Sequence, residues 1–261
     1  MRTLMLMLLA GLAGCGDVKT DWACGAQDPP PPDVTVLRVQ QCWLNQQRDK
    51  VSFWAGTGFP ISPNGLISFR HELPPRAPIV LVEGEVASVL DRGNDERVWE
   101  DWIFVQFQTP PDQIPMLDPR LELRPGERVA LVGFPAPDGV PENLKDLKNL
   151  KDLMERFWTT PSKTIYGKIA SKPFWLGFPE EVVLVKAGDA SLDGLSGGPV
   201  MVFRDSNWVV VGVLCATLNR DILNGVFASK LHVIRRIPEH LLEKQTVPGV
   251  WTPGGRMTCV R

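Results

Sequence analysis

The sequence is poor in histidine and in net charge. Only three of its 261 residues are histidines, and 28 basic and 30 acidic residues leave a formal net charge of −2. This near balance gives no reason to expect a nucleic-acid partner, which a strongly basic surface would attract. No internal repeat of solenoid length is visible. The remaining composition is 44% hydrophobic with 23 glycines and 24 prolines, which suits one sizeable core or two small ones in a chain full of turns.

Long apolar runs are also scarce. The N-terminal run, residues 4–12, is too short to cross a membrane as a helix. Arg2 precedes it and Leu-Ala-Gly-Cys at 12–15 follows it, which is typical of an export signal. The ending resembles the lipobox of bacterial lipoproteins, which implies cleavage before Cys15 and attachment of lipid to its thiol. The alternative is a plain secretory signal, 1–15, with a chance cysteine.

Residues 16–33 follow this signal and contain four consecutive prolines at 29–32. Consecutive prolines favour an extended polyproline conformation, so we expect a stiff spacer. The lipobox resemblance then implies an exported protein, held on a membrane of the bacterial cell envelope by a lipid at Cys15.

Four cysteines remain after Cys15, at positions 24, 42, 215 and 259. Export would place them in an oxidising compartment, where disulfides persist. An even number allows two bridges but fixes no pairing. Cys24 with Cys42 is the local candidate, and a free buried thiol is the alternative for Cys215.

Short apolar segments bounded by turn residues dominate the first half of the chain. They predict strands over 34–44, 51–59, 66–69, 79–82, 85–90 and 101–107, with a hairpin turn at Asn64-Gly65. These strands predict one antiparallel barrel. The proline-rich stretch 110–119 then predicts a connection between domains.

A glycine-rich turn, Gly-Leu-Ser-Gly-Gly-Pro-Val at 194–200, lies between apolar runs at 182–185 and 209–214 that predict strands. A serine in such a turn exposes its hydroxyl, and the glycines let backbone N–H groups converge on one point, as an oxyanion requires. An ordinary hairpin is the alternative. A serine nucleophile also needs a base and an orienting acid from elsewhere in the chain.

Upstream segments supply both. Gly-Thr-Gly-Phe at 56–59 precedes the strand that leads to His71, and Asp101 opens the apolar strand at 101–107. The order His, Asp, Ser with these flanks resembles the trypsin-like serine proteases of the chymotrypsin fold, and most closely the compact bacterial HtrA-like peptidases. The resemblance covers roughly residues 50–240.

The resemblance implies an all-β fold of two antiparallel six-stranded β-barrels. The N-terminal barrel would span 34–114 and the C-terminal barrel 115–230, with its opening strands at 129–135 and 165–170. A short helical insertion, 142–158, would interrupt the second barrel. A C-terminal helix and tail would occupy 231–261, with the helix kinked at Pro238 or, alternatively, beginning there. The chain would leave no room for the PDZ domain that many HtrA-type proteases carry.

The same resemblance assigns the chemistry. Ser196 would attack the scissile carbonyl, His71 would take its proton, and Asp101 would orient the imidazole. The backbone N–H groups of Gly194 and Ser196 would form the oxyanion hole. A polypeptide would be the substrate, and neither a cofactor nor a metal would be needed.

Several residues compete for these roles. Asp91, Asp95 and Glu100 are alternatives to Asp101, which is preferred because it directly opens an apolar strand. Ser191 is an alternative to Ser196 but lacks the following glycines. The other two histidines, at 232 and 240, fall in the predicted C-terminal helical region.

Two positions depart from the family pattern. Arg70 stands where a small residue commonly precedes the catalytic histidine, which predicts unusual local packing. Leu195 stands where vertebrate zymogens place an aspartate that pairs with a newly freed N-terminus. That activation switch is therefore predicted to be absent.

Substrate specificity has two alternative predictions. The resemblance places a substrate pocket at Asp189, Ala190, Ser191, Cys215 and Ala216. Asp189 lies one position earlier, relative to Ser196, than the acidic residue that gives trypsin its preference for Lys or Arg. The small side chains favour a small-to-medium apolar pocket, and cleavage after Lys or Arg is the alternative.

The insertion carries apolar residues at 144, 147, 150, 153, 154 and 157, which predict a broad amphipathic helix. It would pack on the barrel or, alternatively, form a lid near the cleft. For the whole chain, the alternative to a protease is a catalytically silent trypsin-like module that binds peptides or proteins. An esterase fits poorly, because its histidine would come last in the chain. The oligomeric state stays open.

Overall fold

The structure is a computed structural model that describes residues 29–45, 50–70, 79–94, 97–109, 111–136, 155–172, 177–188, 191–218 and 230–243. Residues 31–261 form one compact unit, and residues 1–30 form another, of which 29 and 30 alone are described. Among the described residues, no helix has the length and apolar character needed to cross a membrane.

Six antiparallel strands close the first barrel. They are β1 (Leu37–Asn45), β2 (Lys50–Ser62), β3 (Gly65–Phe69), β4 (Ile79–Val82), β5 (Glu85–Arg92) and β6 (Trp102–Gln106). Their order around the barrel is β1-β2-β3-β6-β5-β4. Apolar side chains fill the interior, including Val39, Leu66, Phe69 and Ile103, each fully buried. The turn at residues 63 and 64 joins β2 to β3, as Asn64-Gly65 predicted.

Six further strands close the second barrel. They are β7 (Arg128–Gly133), β8 (Lys163–Ile169), β9 (Val182–Lys186), β10 (Pro199–Arg204), β11 (Asn207–Leu218) and β12 (Leu231–Arg236). Their order is β10-β11-β12-β9-β8-β7. Leu131, Val185, Leu195 and Ile234 lie in its core. Two closed six-stranded antiparallel barrels confirm the predicted fold class.

A separate apolar cluster joins the barrels. It combines buried residues of the first barrel, Phe59 and Trp102 among them, with residues of the second, such as Met201 and Cys215. Leu241 of the C-terminal helix (Glu239–Glu243) completes this cluster. A continuous buried seam of this kind holds the two barrels as one body, so side chains from both can be fixed in one site.

The placement of the last strand corrects one prediction. Residues from 231 onward were expected to form the C-terminal helix, but Leu231–Arg236 pairs with β9 and β11 as β12. The second barrel therefore extends to residue 236, and the helix begins only after Pro238. Proline can open a helix but not continue one, which fits this boundary. His232 consequently lies on a barrel strand.

Other differences are smaller. β10 forms directly after the serine turn, whereas the sequence analysis predicted no strand between that turn and residue 209. Cys42 is a free, partly buried thiol, so the expected Cys24–Cys42 bridge is not formed. Most of the predicted helical insertion, 142–154, lies outside the described residues, as does Cys15. Residues 155–159 are helical, as predicted.

Candidate active site

The turn that carries Ser196 is built from short local hydrogen bonds. The Leu195 N–H donates to the Leu192 carbonyl at 2.9 Å, and the Gly198 N–H donates to the Leu195 carbonyl at 2.8 Å. Leu195 points into the core of the second barrel and is 1% exposed. Burial of Leu195 in the core fixes the turn on the second barrel, and Ser196 is left half-buried at the surface of that barrel.

The residue after Ser196, Gly197, lies where no side chain fits. It adopts a φ of +82°, which favours glycine. A Cβ at this position would lie 2.2 Å from the Thr57 carbonyl oxygen and 2.5 Å from the Phe69 nitrogen. The serine turn therefore packs directly on the backbone of the first barrel, at the end of β3.

Thr57 fastens this contact from the first barrel. Its backbone N–H donates to the Ser196 carbonyl at 2.9 Å. Its hydroxyl donates to the Gly194 carbonyl at 3.0 Å and accepts from the Phe134 N–H at 2.9 Å. The sequence analysis gave Thr57 no role, because these partners are distant in sequence.

Asp101 lies at the end of the 3-10 turn Val98–Glu100, directly before β6. Its carboxylate accepts a hydrogen bond from the Arg70 N–H at 3.1 Å. Arg70 directly precedes His71 in the chain, so Asp101 is held beside the segment that delivers the predicted base. His71 itself lies outside the described residues.

The unusual Arg70 is packed inward. It is 5% exposed, and its guanidinium donates to the Gly93 carbonyl at 2.9 Å. Burial lowers the pKa of Arg70, and the nearby carboxylate of Asp101 opposes that shift. The arginine therefore ties the end of β3 to the segment that follows β5.

The two described competitors of Asp101 are engaged elsewhere. Glu100 accepts hydrogen bonds from the Trp102 indole at 2.7 Å and from Arg235 at 3.1 Å. Asp91 pairs with His240 of the C-terminal helix at 3.1 Å. Asp95 lies outside the described residues. The geometry therefore favours Asp101 over Glu100 and Asp91.

Strand β11 runs from the serine turn toward Asp101. The Gly197 N–H donates to the Leu214 carbonyl at 2.7 Å, and the Leu214 N–H donates to the Gly198 carbonyl at 3.0 Å. The next residue, Cys215, is fully buried, with its thiol 3.5 Å from the Trp99 carbonyl. Burial, reinforced by the negative charge of Asp101, raises the pKa of Cys215 well above its usual value. One stretch of β11 thus borders both the serine turn and Asp101.

The predicted oxyanion donors are the N–H groups of Gly194 and Ser196. Within the described part of the chain, neither N–H donates a hydrogen bond. Gly194 has a φ of +83°, and a Cβ there would lie 2.4 Å from the Ala136 nitrogen. Glycine is therefore required at this position as well.

The predicted pocket residues are only partly described. Ser191 is exposed, and its hydroxyl donates to the Asp193 carboxylate at 2.8 Å. Ala216 is half-buried beside Cys215 on β11. Asp189 and Ala190 lie outside the described residues. The structure therefore brings Cys215 and Ala216 next to the serine turn and leaves Ser191 in a local surface bond.

β11 also has an edge beside the serine turn that is left uncovered by the described strands. It pairs with β10 only as far as Val213, whereas its pairing with β12 continues to Leu218. The backbone N–H and carbonyl of Leu214 bond to the serine turn, and no described strand covers the second edge of residues 215–218. An extended peptide can add to such an edge through backbone hydrogen bonds.

The visible end of the insertion packs close to this site. The Phe157 ring is 1% exposed and lies 6.4 Å from the Phe134 ring. Arg38 of β1 donates to the carbonyls of Phe157 at 3.1 Å and Thr160 at 2.8 Å, so it caps the helical residues 155–159. The Phe134 N–H is also bonded to Thr57, which holds the serine turn, so Phe134 connects the insertion to that turn.

The described residues contain no group of three or more His, Cys, Asp or Glu side chains that could hold a metal ion.

Comparison with known proteins places the fold. No protein-family model matches the chain, and no curated protein matches it. The chain is similar to the active form of the Rv3671c protease from M. tuberculosis, with a TM-score of 0.50 and 18% sequence identity over 88% of this chain and 91% of that one. The inactive form of the same protease gives a TM-score of 0.46 and 19% identity, over 79% of this chain and 86% of that one. At 18% identity the likeness to the active form establishes the chymotrypsin-like fold alone.

Proposed function

We propose that this chain is a serine endopeptidase. The observation that carries the proposal is the seating of Ser196. Its turn is hydrogen-bonded to Thr57 of the first barrel and lies beside the end of β3. Arg70, the residue that follows β3, donates its backbone N–H to the carboxylate of Asp101. The proposed nucleophile of one barrel and the proposed orienting acid of the other thus lie along one seam, next to the segment that leads to His71 in the sequence.

In this proposal Ser196 Oγ attacks the carbonyl carbon of the scissile peptide bond as His71 removes its proton. Asp101 holds the imidazole in the required tautomer and stabilises the imidazolium. The N–H groups of Gly194 and Ser196 stabilise the oxyanion. His71 then protonates the leaving amine as the peptide C–N bond breaks. Water next attacks the acyl carbon while His71 takes its proton, and the ester bond to Ser196 breaks as His71 returns that proton to Oγ, releasing the carboxylic acid.

Substrate binding follows from the open edge of β11. A peptide in extended conformation would pair with residues 215–218 and present a carbonyl to Ser196. The similarity to a solved structure described as a protease agrees with a peptide as the substrate.

Turnover of an unfolded, general protein substrate tests the proposal. Ser196→Ala and His71→Ala should each lower turnover by several orders of magnitude, and the double variant should be little worse, because triad members act as a unit. Asp101→Asn should cost about 10⁴ in turnover. Ser206→Ala, in the exposed β10–β11 turn, is the matched control and should change nothing. Wild-type turnover no higher than that of Ser196→Ala would instead indicate a catalytically silent binding module.

We also propose that the mature protein is exported and lipid-anchored at Cys15. The support is in the sequence alone: a short apolar run, small residues and a cysteine at the cleavage point. Cys15→Ser should release the protein from membranes or leave it unprocessed. A wild-type protein that is fully soluble after export, with an N-terminus beyond Cys15, would contradict the anchor.

A further inference from the structure

His232 is a buried polar group that the proposed chemistry does not use. It is 1% exposed, and its Nδ1 lies 3.0 Å from the Thr217 hydroxyl. Its Nε2 is buried without any hydrogen-bond partner. A buried polar atom without a partner destabilises a fold, so its presence calls for an explanation such as an absent ligand.

The strand register fixes the face on which His232 lies. It pairs with Thr217 of β11 on one side and with Val185 of β9 on the other. Directly opposed residues share a face of the sheet, and Val185 belongs to the core that contains Leu192 and Leu195. His232 is therefore on the inner face of the second barrel, with the residues that support the serine turn.

The same register gives its position relative to Ser196. Leu214 is hydrogen-bonded to Gly197 and Gly198, next to the nucleophile. Thr217 lies three residues further along β11, or about 10 Å at the rise of a strand. Thr217 is exposed and His232 is buried opposite it, so the pair runs from the surface of the barrel inward, beside the open edge of β11.

We propose that His232, oriented by Thr217, is a specificity-determining residue that binds the side chain of the substrate residue preceding the scissile bond, and that it selects glutamine. The proposal rests on the protease function proposed above. A peptide paired with the edge of β11 would direct that side chain between β11 and the serine turn, toward the free Nε2 of His232.

The chemistry of the His232–Thr217 pair favours binding of a substrate side chain that ends in a neutral amide. Burial, aided by the positive charge of Lys230, lowers the pKa of His232 to about 4, so the imidazole is neutral near pH 7. Its Nε2 is a donor or an acceptor, depending on the direction of the bond to Thr217. A carboxamide carries both a donor and an acceptor and matches either state. A charged side chain would have to leave water for a site among leucines and valines, which disfavours lysine and glutamate.

Peptidyl phosphonates that differ only in the residue next to phosphorus test this directly, since each modifies a nucleophilic serine. The reaction rates of the glutamine and methionine compounds are compared, because the two side chains have similar length and only glutamine bears the amide. Lysine and glutamate compounds complete the set. We expect the glutamine compound to react about 10²-fold faster than the methionine compound with the wild-type protein.

His232→Leu should reduce the glutamine-to-methionine ratio to near one, and Thr217→Val should reduce it in part, because the imidazole loses its orienting partner. Thr217→Ser should keep the wild-type ratio. His240→Leu is the matched control for the loss of a histidine, and its ratio should stay that of the wild type. Thr217 is exposed, so its variants remain informative even if His232→Leu fails to fold.

Three results would overturn the proposal: equal rates with glutamine and methionine, a faster reaction with lysine or glutamate, or an unchanged ratio in folded His232→Leu or Thr217→Val. A simple fluorophosphonate without a peptide distinguishes these from failure of the proposed function. If it modifies Ser196, the enzyme stands and only the specificity is wrong. If it does not, both proposals fall.

Discussion

Replacement of Thr57 by valine probes the link between the two barrels. Valine has nearly the same shape as threonine but lacks the hydroxyl. The Phe134 N–H and the Gly194 carbonyl would then lose their partner at a position that is 0% exposed. Each of these two buried groups costs about 1–3 kcal/mol when left without a partner, so we expect Thr57→Val to lower the free energy of unfolding by about 2–6 kcal/mol.

Thr57→Ser is the matched control, because it keeps the hydroxyl and removes one methyl group, at a cost of about 1 kcal/mol. Urea unfolding measures both. Burial of apolar surface alone predicts the opposite order, with valine the more stable variant. We also expect Thr57→Val to slow modification of Ser196 by a fluorophosphonate about ten- to a hundredfold, because the carbonyl of Gly194 loses its anchor and the oxyanion donors shift. A Thr57→Val protein as stable as the wild type would refute the proposed role of this hydroxyl.

Three further predictions concern single residues. Gly197→Ala should prevent folding or cost more than roughly 4 kcal/mol, because its Cβ would overlap backbone atoms. Gly126→Ala, with a φ of +85° and nothing within 4 Å, should cost only about 1–2 kcal/mol. Equal shifts of the two variants in thermal unfolding would contradict this. The pKa of His232 is lowered from 6.5 to about 4 in the folded state, so the unfolded state binds the proton first. The free energy of unfolding should therefore fall by about 3 kcal/mol as the pH drops from 6.5 to 4, and His232→Leu should lack this component in urea titrations. Burial raises the pKa of the Cys215 thiol, so iodoacetamide at pH 8 should leave it unmodified in the native protein and modify it after unfolding, as peptide mass mapping would show; rapid native modification would be incompatible with its burial.

The strands of the first barrel could be predicted from sequence because their signals are local. Asn64-Gly65 marks a turn, and β-branched runs end at glycine or polar residues on both sides. β12 could not be predicted in this way. Its three apolar residues are mixed with His232 and two arginines without strict alternation. Its identity as a strand depends on pairing with β9 and β11, which are separated from it in sequence.

The candidate site shows the same limit. The glycines around Ser196 indicate a special turn, and the structure gives a physical reason for Gly194 and Gly197. The role of Thr57 depends on partners 77 and 137 residues away, so no local pattern reveals it. Arg70 was noticed as unusual, but its contact with Gly93 becomes visible only once β3 and β5 are placed in the barrel.

Modification by a fluorophosphonate tests the central claim most directly, because it requires an activated serine and no knowledge of the substrate. Intact-mass analysis should find a single adduct on the folded wild-type protein, and peptide mapping should place it on Ser196. Ser196→Ala should give no adduct, and His71→Ala should react far more slowly than the wild type. A folded wild-type protein that forms no adduct, or forms one on another residue, would contradict the assignment of Ser196 as the nucleophile.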